Sequence, residues 1–177
     1  MRIAERAAQS EAIAQARSPR EVERARALFV EYAERLNVDL CFQGFAQELA
    51  NLPGAYTPPR GRLLLAGGHA AFGCVALRPL DPGLQCGSGV AAAKDESIIG
   101  EVKRLYVQPD RRGQGWGGRL ARAIVDEARA IGYREVKLDT LESMTAARAL
   151  YAELGFRECA PYYENPLVGV VYMSLAL

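Results

Sequence analysis

The stretch that decides the fold is Glu101-Val-Lys-Arg-Leu-Tyr-Val-Gln-Pro-Asp-Arg-Arg-Gly-Gln-Gly-Trp-Gly-Gly-Arg-Leu120. It begins as an apolar strand, passes through a polar loop and reaches a cluster of glycines where a helix should begin. Glycine has no Cβ, so the backbone can approach a ligand closely and adopt positive φ. The first N–H groups of a helix lack internal partners and carry partial positive charge. The stretch therefore predicts an anion-binding turn suited to a phosphate.

Two phosphate-binding patterns fit this turn. Gly113-Gln-Gly-Trp-Gly-Gly118 matches the dinucleotide pattern G-x-G-x-x-G, and Asp139 lies at about the expected distance downstream. In that motif, however, the first glycine closes the preceding strand, whereas Gln108-Pro-Asp-Arg-Arg112 intervenes here. The alternative is Arg112-Gly-Gln-Gly-Trp-Gly117, an R-x-x-G-x-G pattern, which we favour.

This second pattern resembles the GNAT family of N-acetyltransferases, in which the turn holds the pyrophosphate of acetyl-CoA. The strand Leu105-Tyr-Val107 and Pro109 precede the turn as the resemblance requires. The resemblance runs from about Leu63 to Leu177 and is strong again at Ala149-Leu-Tyr-Ala-Glu-Leu-Gly-Phe156, an A-L-Y-x-x-x-G-F pattern. It implies a mixed αβ (α+β) fold with a mostly antiparallel central sheet, one parallel β-α-β crossover and helices on both faces.

The resemblance also implies that acetyl-CoA is the cofactor. The pantetheine arm would pair with the backbone of the strand before the turn, which in this family separates from its neighbour at a bulge. One N–H of that strand, on Tyr106 or Val107, would polarise the thioester carbonyl. An asparagine that often binds the arm in the family is replaced here by Ser143. The predicted cofactor-binding residues are Leu105, Tyr106, Val107, Arg111, Arg112, Gly113, Gln114, Gly115, Trp116, Gly117, Gly118 and Ser143.

Two residues are predicted to be catalytic. Glu101 is the candidate base, because the family places a glutamate at this offset from the glycines, and period two puts it on the same strand face as Val107. The alternative is a structural glutamate paired with Lys103 or Arg104. Tyr151 is the candidate acid, because a phenol is protonated at neutral pH and can donate to a thiolate. Its alternative is a core aromatic residue.

The resemblance implies that the acceptor lies against the loop between Pro161 and Pro166, which contains Tyr162, Tyr163, Glu164 and Asn165. The alternative is a plain solvated loop. Glu164 would attract a cationic amine, and the tyrosines would form walls. The predicted reaction is direct attack of a small-molecule or peptide amine on acetyl-CoA in a ternary complex. The alternatives are another acyl-CoA as donor, and a non-catalytic domain that binds CoA.

Composition narrows the class further. The 177 residues carry a net charge of +1 and are half hydrophobic, which is typical of a soluble globular protein and gives no sign of nucleic acid as a partner. One histidine and four widely spaced cysteines predict no metal site. No apolar run is long enough for a membrane span. We expect a cytoplasmic protein, which could form a homodimer.

The chain is predicted to form one domain over residues 12–177, preceded by an N-terminal extension over residues 1–11. The expected order is one strand, two helices, three strands, a helix, a strand, a helix and two strands. Ser18-Pro-Arg-Glu21 predicts the start of the first helix, with serine as N-cap, proline at N1 and glutamate at N3. Residues 81–96, rich in glycine, alanine and serine, are predicted to be a loop.

Overall fold

The computed structural model describes residues 12–38, 40–80 and 99–177. The predicted N-terminal extension and the loop over residues 81–96 lie outside these ranges. The described strands are β1 (Ile13–Gln15), β2 (Arg62–Ala66), β3 (Gly73–Pro79), β4 (Ile99–Val107), β5 (Glu135–Leu141), β6 (Arg157–Glu158) and β7 (Val170–Ala176). The described α-helices are α1 (Pro19–Leu36), α2 (Phe45–Asn51), α3 (Trp116–Ile131) and α4 (Thr145–Glu153).

The described strands form one sheet in the order β1-β2-β3-β4-β5-β7-β6. Strands β4 and β5 run parallel and are joined through α3, whereas the other recorded strand pairs are antiparallel. The predicted element order and the mostly antiparallel sheet with one parallel crossover are therefore confirmed. Strand β6 is short, since only its two residues pair with β7.

Local signals explain where the two long helices begin and end. Ser18 accepts a hydrogen bond from the backbone N–H of Glu21, while the Glu21 carboxylate accepts from the backbone N–H of Ser18, which completes a capping box at α1. Helix α3 begins after Gly115 and ends at Gly132, and both glycines have positive φ. Among the described residues, no helix is long and apolar enough to cross a membrane.

The helices cover both faces of the sheet, as predicted. On one face, α3 buries Leu120 and Ile124 in a cluster that includes Val102 and Val107 of β4. On the other face, α1 buries Leu28 and Phe29 in a second cluster. The sheet is therefore a middle layer, and its centre is enclosed on both sides.

A bulge in β4 shapes the centre of the sheet. The pairing of β4 with β3 slips between Cys74 and Ala76, and Arg104 takes a positive φ of 58°. The Arg104 guanidinium binds the Glu48 carboxylate on α2, which holds the bulged residue in this strained conformation.

The bulge corrects one expectation. Val102 and Val107 share a core cluster although they are five positions apart, an odd offset, so the alternation of side chains reverses between them. Glu101 therefore lies on the opposite face from Val107, not on the same face. Period two holds only in an unbroken strand, and Arg104 interrupts this one.

Strands β4 and β5 separate after Glu101, just before the bulge at Arg104. Their recorded pairing covers Ile99–Glu101 against Glu135–Lys137 and stops there. The remainder of β4 keeps its partner β3 on one side and leaves the edge toward β5 open, as the resemblance predicted. The site described next lies in the resulting cleft.

Candidate functional site

A cavity of about 740 Å³ lies between the separated strands and is bordered by α1, α3 and the start of α4. Six residues predicted to bind the cofactor line it: Leu105, Tyr106, Val107, Arg112, Gly117 and Ser143. Tyr32 and Arg35 of α1 also line the cavity, and neither was predicted from the sequence. Their spacing of three residues was a sign of a shared helix face, but only the fold places that face over β4.

The glycine turn borders one end of this cavity through Arg112 and Gly117. Gly113 and Gly115 have φ of 72° and 79°, and α3 has no side-chain cap at its N-terminus. Within the described residues, no hydrogen bond is recorded from the backbone N–H groups of residues 115–118. A Cβ added at Gly117 would meet only Leu150 at 3.8 Å, so the space before the helix is open. Free donors at a helix N-terminus suit a pyrophosphate, so the site fits the cofactor that the resemblance implies.

The two arginines of the turn point to different places. Arg112 lines the cavity, and its Nε donates to the carbonyl oxygen of Val107 at 3.0 Å. Arg111 lies over the ring of Phe72 on the other side of the turn. Gln114 and the buried Trp116 also line that second side, a separate cavity of about 320 Å³. The structure thus brings Arg112, but not the side chains of Arg111, Gln114 and Trp116, to the main cavity.

A narrower inner cavity of about 60 Å³ adjoins the main one and is lined by Tyr151. Burial is the main cause that raises the pKa of Tyr151 well above its usual value, and the neighbouring Tyr32 and Asp139 add to the shift. Burial likewise raises the pKa of Tyr32, to about 12. No hydrogen bond is recorded between the Tyr151 hydroxyl and another described residue. Tyr151 therefore presents a protonated hydroxyl at this end of the cleft.

Glu101 lies beside the inner cavity but is not among the residues that line it. Its side chain is only 2% exposed, and its carboxylate is 2.7 Å from the Arg78 guanidinium and 3.4 Å from Lys103 Nζ. The Tyr162 hydroxyl donates to the same carboxylate at 3.2 Å. Glu101 is thus a buried, fully partnered anion, and its contact with the inner cavity passes through Lys103.

Asp139 on β5 is a carboxylate that lines the inner cavity directly. Lys103 Nζ lies 3.4 Å from Asp139 and the same distance from Glu101, so the lysine bridges the two acids. Burial is the main cause that raises the pKa of Tyr163, and the negative charge of the neighbouring Asp139 adds to the shift. The alternating pattern of β5 placed Asp139 and Lys137 on one face, but the position of Asp139 beside β4 depends on the splayed sheet.

The predicted acceptor loop is divided between the interior and a surface cavity. Tyr162 is buried among Leu80 and Tyr172, and it does not line a described cavity. Tyr163, Glu164 and Asn165 line a cavity of about 430 Å³ at the surface. The Asn165 amide donates to the Tyr163 hydroxyl at 2.9 Å and so fixes the ring.

One further result limits the chemistry. Among residues 12–38, 40–80 and 99–177, no group of three or more potential metal ligands is close enough to hold an ion. The cleft instead combines an anion-binding turn, an open strand edge, a protonated phenol and a carboxylate bridged by a lysine. This set suits the transfer of an acyl group from a phosphate-bearing thioester.

Comparisons with known proteins agree with this geometry. Residues 21–156 match the Acetyltransferase (GNAT) family. An uncharacterized N-acetyltransferase of Schizosaccharomyces pombe is 37% identical over 161 residues, which cover 90% of each chain. An acetyltransferase structure from Streptococcus agalactiae has a TM-score of 0.68 at 16% identity, covering 96% of this chain and 99% of the other.

A Salmonella typhimurium structure, described with its cofactor acetyl-CoA, has a TM-score of 0.61 at 20% identity. The match covers 93% of this chain and 92% of that one. At such identities the two structural neighbours establish the shared fold.

Proposed function

Since the chain belongs to the acetyltransferase (GNAT) family, we propose that it transfers an acetyl group from acetyl-CoA to a primary amine by direct attack in a ternary complex. The observation that carries the proposal is the single cleft that joins the glycine turn to Tyr151. Gly117 lines the outer part of this cleft, and Tyr151 lines the inner part. If acetyl-CoA is bound by its phosphates at the glycine turn, its thioester would lie near Tyr151, the proton donor at the other end of the cleft.

The binding of acetyl-CoA is assigned to three parts of the chain. The N–H groups at the start of α3, together with Arg112 and Arg35, would hold the phosphates. The open edge of β4 would pair with the amides of the pantetheine arm as an added strand. A backbone N–H of Tyr106 or Val107 would polarise the thioester carbonyl. Acetyl-CoA supplies the activated acyl group, and Ser143 borders the arm.

The protons are assigned as follows. Alkylamines titrate near ~10, so the acceptor arrives mostly protonated and loses two protons as it becomes an amide. Tyr151 gives its proton to the departing thiolate, as the C–N bond forms and the C–S bond breaks, and regains one from solvent. Glu101 takes the first of these protons through Lys103, whose ammonium gives one proton to Glu101 and receives one from the amine, which frees the nitrogen lone pair for attack. The second proton leaves to solvent after the C–N bond has formed, which balances the one that Tyr151 regains. The 3.4 Å contact is long for this transfer, but such contacts often tighten when substrate binds.

The competing function is a domain that binds CoA without catalysis. Cofactor binding would then persist, while no amine would be acetylated. The test is to supply acetyl-CoA with a panel of primary amines and to measure both CoA release and N-acetylated product. Longer acyl-CoA donors in the same assay would show whether acetyl is the preferred group. The cytoplasmic location and the homodimer stay predictions.

A further inference from the structure

Asp139 is the last member of a line of alternating charges that crosses the sheet. Arg78 contacts Glu101, Glu101 contacts Lys103, and Lys103 contacts Asp139. Each inner member of the line has two partners of opposite charge. The only recorded cationic partner of Asp139 is Lys103, at 3.4 Å, and this lysine also pairs with Glu101. Asp139 is also the acid that lines the inner cavity. Its negative charge is therefore the least compensated one at the reacting end of the cleft.

Gln43 supplies a second, independent observation beside Asp139. Its Nε2 donates to the Asp139 carboxylate at 3.4 Å and to the Tyr163 hydroxyl at 3.1 Å. These contacts fix the orientation of the amide, since the reversed amide would set its oxygen against the carboxylate. The Oε1 atom is buried and has no hydrogen-bond partner among the described residues. A buried acceptor without a donor costs free energy, which indicates that a ligand supplies the donor.

We infer that Asp139 and Gln43 form the subsite that binds the acceptor amine in its protonated form. This inference rests on the proposed function and specifies its substrate class. An ammonium group has several N–H donors and a full positive charge, which match the Asp139 carboxylate and the unpaired Gln43 oxygen. The subsite therefore selects aliphatic amines, which are cations at neutral pH, over arylamines, which are neutral.

The inner cavity lies next to a cavity at the surface. Leu167 lines both the inner cavity and the surface cavity beside Tyr163 and Glu164. Tyr163 lies between the two cavities. Its hydroxyl is close to Gln43 and Asp139, and Tyr163 also lines the surface cavity. An amine bound at Asp139 would extend outward along this tyrosine. The geometry thus suits an ammonium group at the end of a flexible chain.

The test compares four acceptors, which are n-butylamine, spermidine, a short peptide with an unblocked N-terminus, and aniline. In the parent, the alkylamines should be acetylated well and aniline poorly. Asp139→Asn keeps the shape of the side chain and removes its charge, so the acceptor KM for n-butylamine should rise about tenfold or more. Gln43→Met removes the unpaired oxygen and should raise the acceptor KM for n-butylamine about threefold to tenfold. The KM for acetyl-CoA should stay within about twofold of the parent value, because the proposed cofactor contacts are made by the glycine turn and not by Asp139 or Gln43.

Glu135→Gln is the matched control, because Glu135 lies on the same strand and contacts only Lys137 among the recorded ion pairs. Equal use of aniline, or an Asp139→Asn variant that behaves like Glu135→Gln, would overturn the subsite while leaving the proposed function intact. No transfer to any of the four amines, with acetyl-CoA still bound, would contradict the proposed function and the subsite together.

Discussion

The guanidinium group of Arg78 lies 2.7 Å from the Glu101 carboxylate, and only 2% of the glutamate side chain is exposed. Arg78 is on β3 and Glu101 is on β4, where the two residues are paired across the strands. A carboxylate this deeply buried needs its cation, because burial without a partner is costly. The pair therefore supports the sheet at the point where β4 and β5 begin to separate.

Glu101→Gln should lower both stability and rate. Removing one partner of a buried ion pair leaves Arg78 uncompensated, so the free energy of unfolding should fall by about 3 kcal/mol, measured by urea titration. If Glu101 also takes the proton through Lys103, kcat should fall about 10²-fold, and the loss of activity at acidic pH should disappear. We expect such an acidic loss in the parent, because a general base works only while it is unprotonated.

Glu135→Gln serves as the control for this substitution and should change stability by less than about 0.5 kcal/mol. A Glu101→Gln protein with parental rates at every pH would make Glu101 purely structural. Parental stability would instead show that Arg78 needs no partner at this site.

Tyr151→Phe should reduce kcat about 10²-fold with little effect on stability, since it deletes only a hydroxyl that has no recorded partner. Because burial raises the pKa of Tyr151, the phenol stays protonated through the alkaline assay range. The parent should therefore show no alkaline loss of kcat from this residue up to about pH 10. Tyr133→Phe is the control, since the Tyr133 hydroxyl binds the carbonyl of Arg60 away from the cleft. Equal rates in both variants would remove Tyr151 from the chemistry.

Gly117→Glu should abolish acetyl-CoA binding without unfolding the protein. The new side chain would place a carboxylate where the phosphates are held, while its Cβ would meet only Leu150 at ordinary distance. Gly117→Ala adds the Cβ without the charge and should reduce affinity much less. Titration calorimetry with acetyl-CoA measures both. Gly115→Asp should also abolish binding, but the positive φ of Gly115 adds strain to that variant. Unchanged affinity in Gly117→Glu would refute the pyrophosphate assignment.

Glu164→Gln should raise the acceptor KM about twofold to fivefold and leave the acetyl-CoA KM unchanged. The effect is small because Glu164 is exposed at the rim of the surface cavity, where solvent screens its charge. The increase should shrink in high salt, which initial rates at two salt concentrations would measure. A change that is the same for both substrates would place the loop outside the acceptor site.

Local sequence signals predicted the parts of the fold that depend on near neighbours. The capping box of Ser18 and Glu21 acts within one helical turn, and the positive φ of Gly113 and Gly115 is one that glycine adopts without strain. These features could be predicted because the interactions that create them lie close together in the chain.

The bulge at Arg104 could not be predicted in this way. Its conformation depends on the pairing of β4 with β3 and on Glu48, which is 56 residues away in sequence. The error about the facing of Glu101 follows directly from that bulge. In the sequence, Asp139 stood out only as the acid downstream of the dinucleotide pattern, because its place in the cleft depends on where β5 separates from β4. The positions of the residues at the inner cavity therefore depend on contacts between distant parts of the chain.

The most direct test of the proposed function is to incubate the protein with acetyl-CoA and n-butylamine and to measure the products by mass spectrometry. Product mass is preferable to a thiol reagent alone, because Cys41 is exposed. We expect the parent to form equal amounts of CoA and N-acetylbutylamine, and we expect Gly117→Glu to form neither. Acetyl-CoA binding in calorimetry, with no N-acetylated product from this or any other primary amine, would contradict the proposed function.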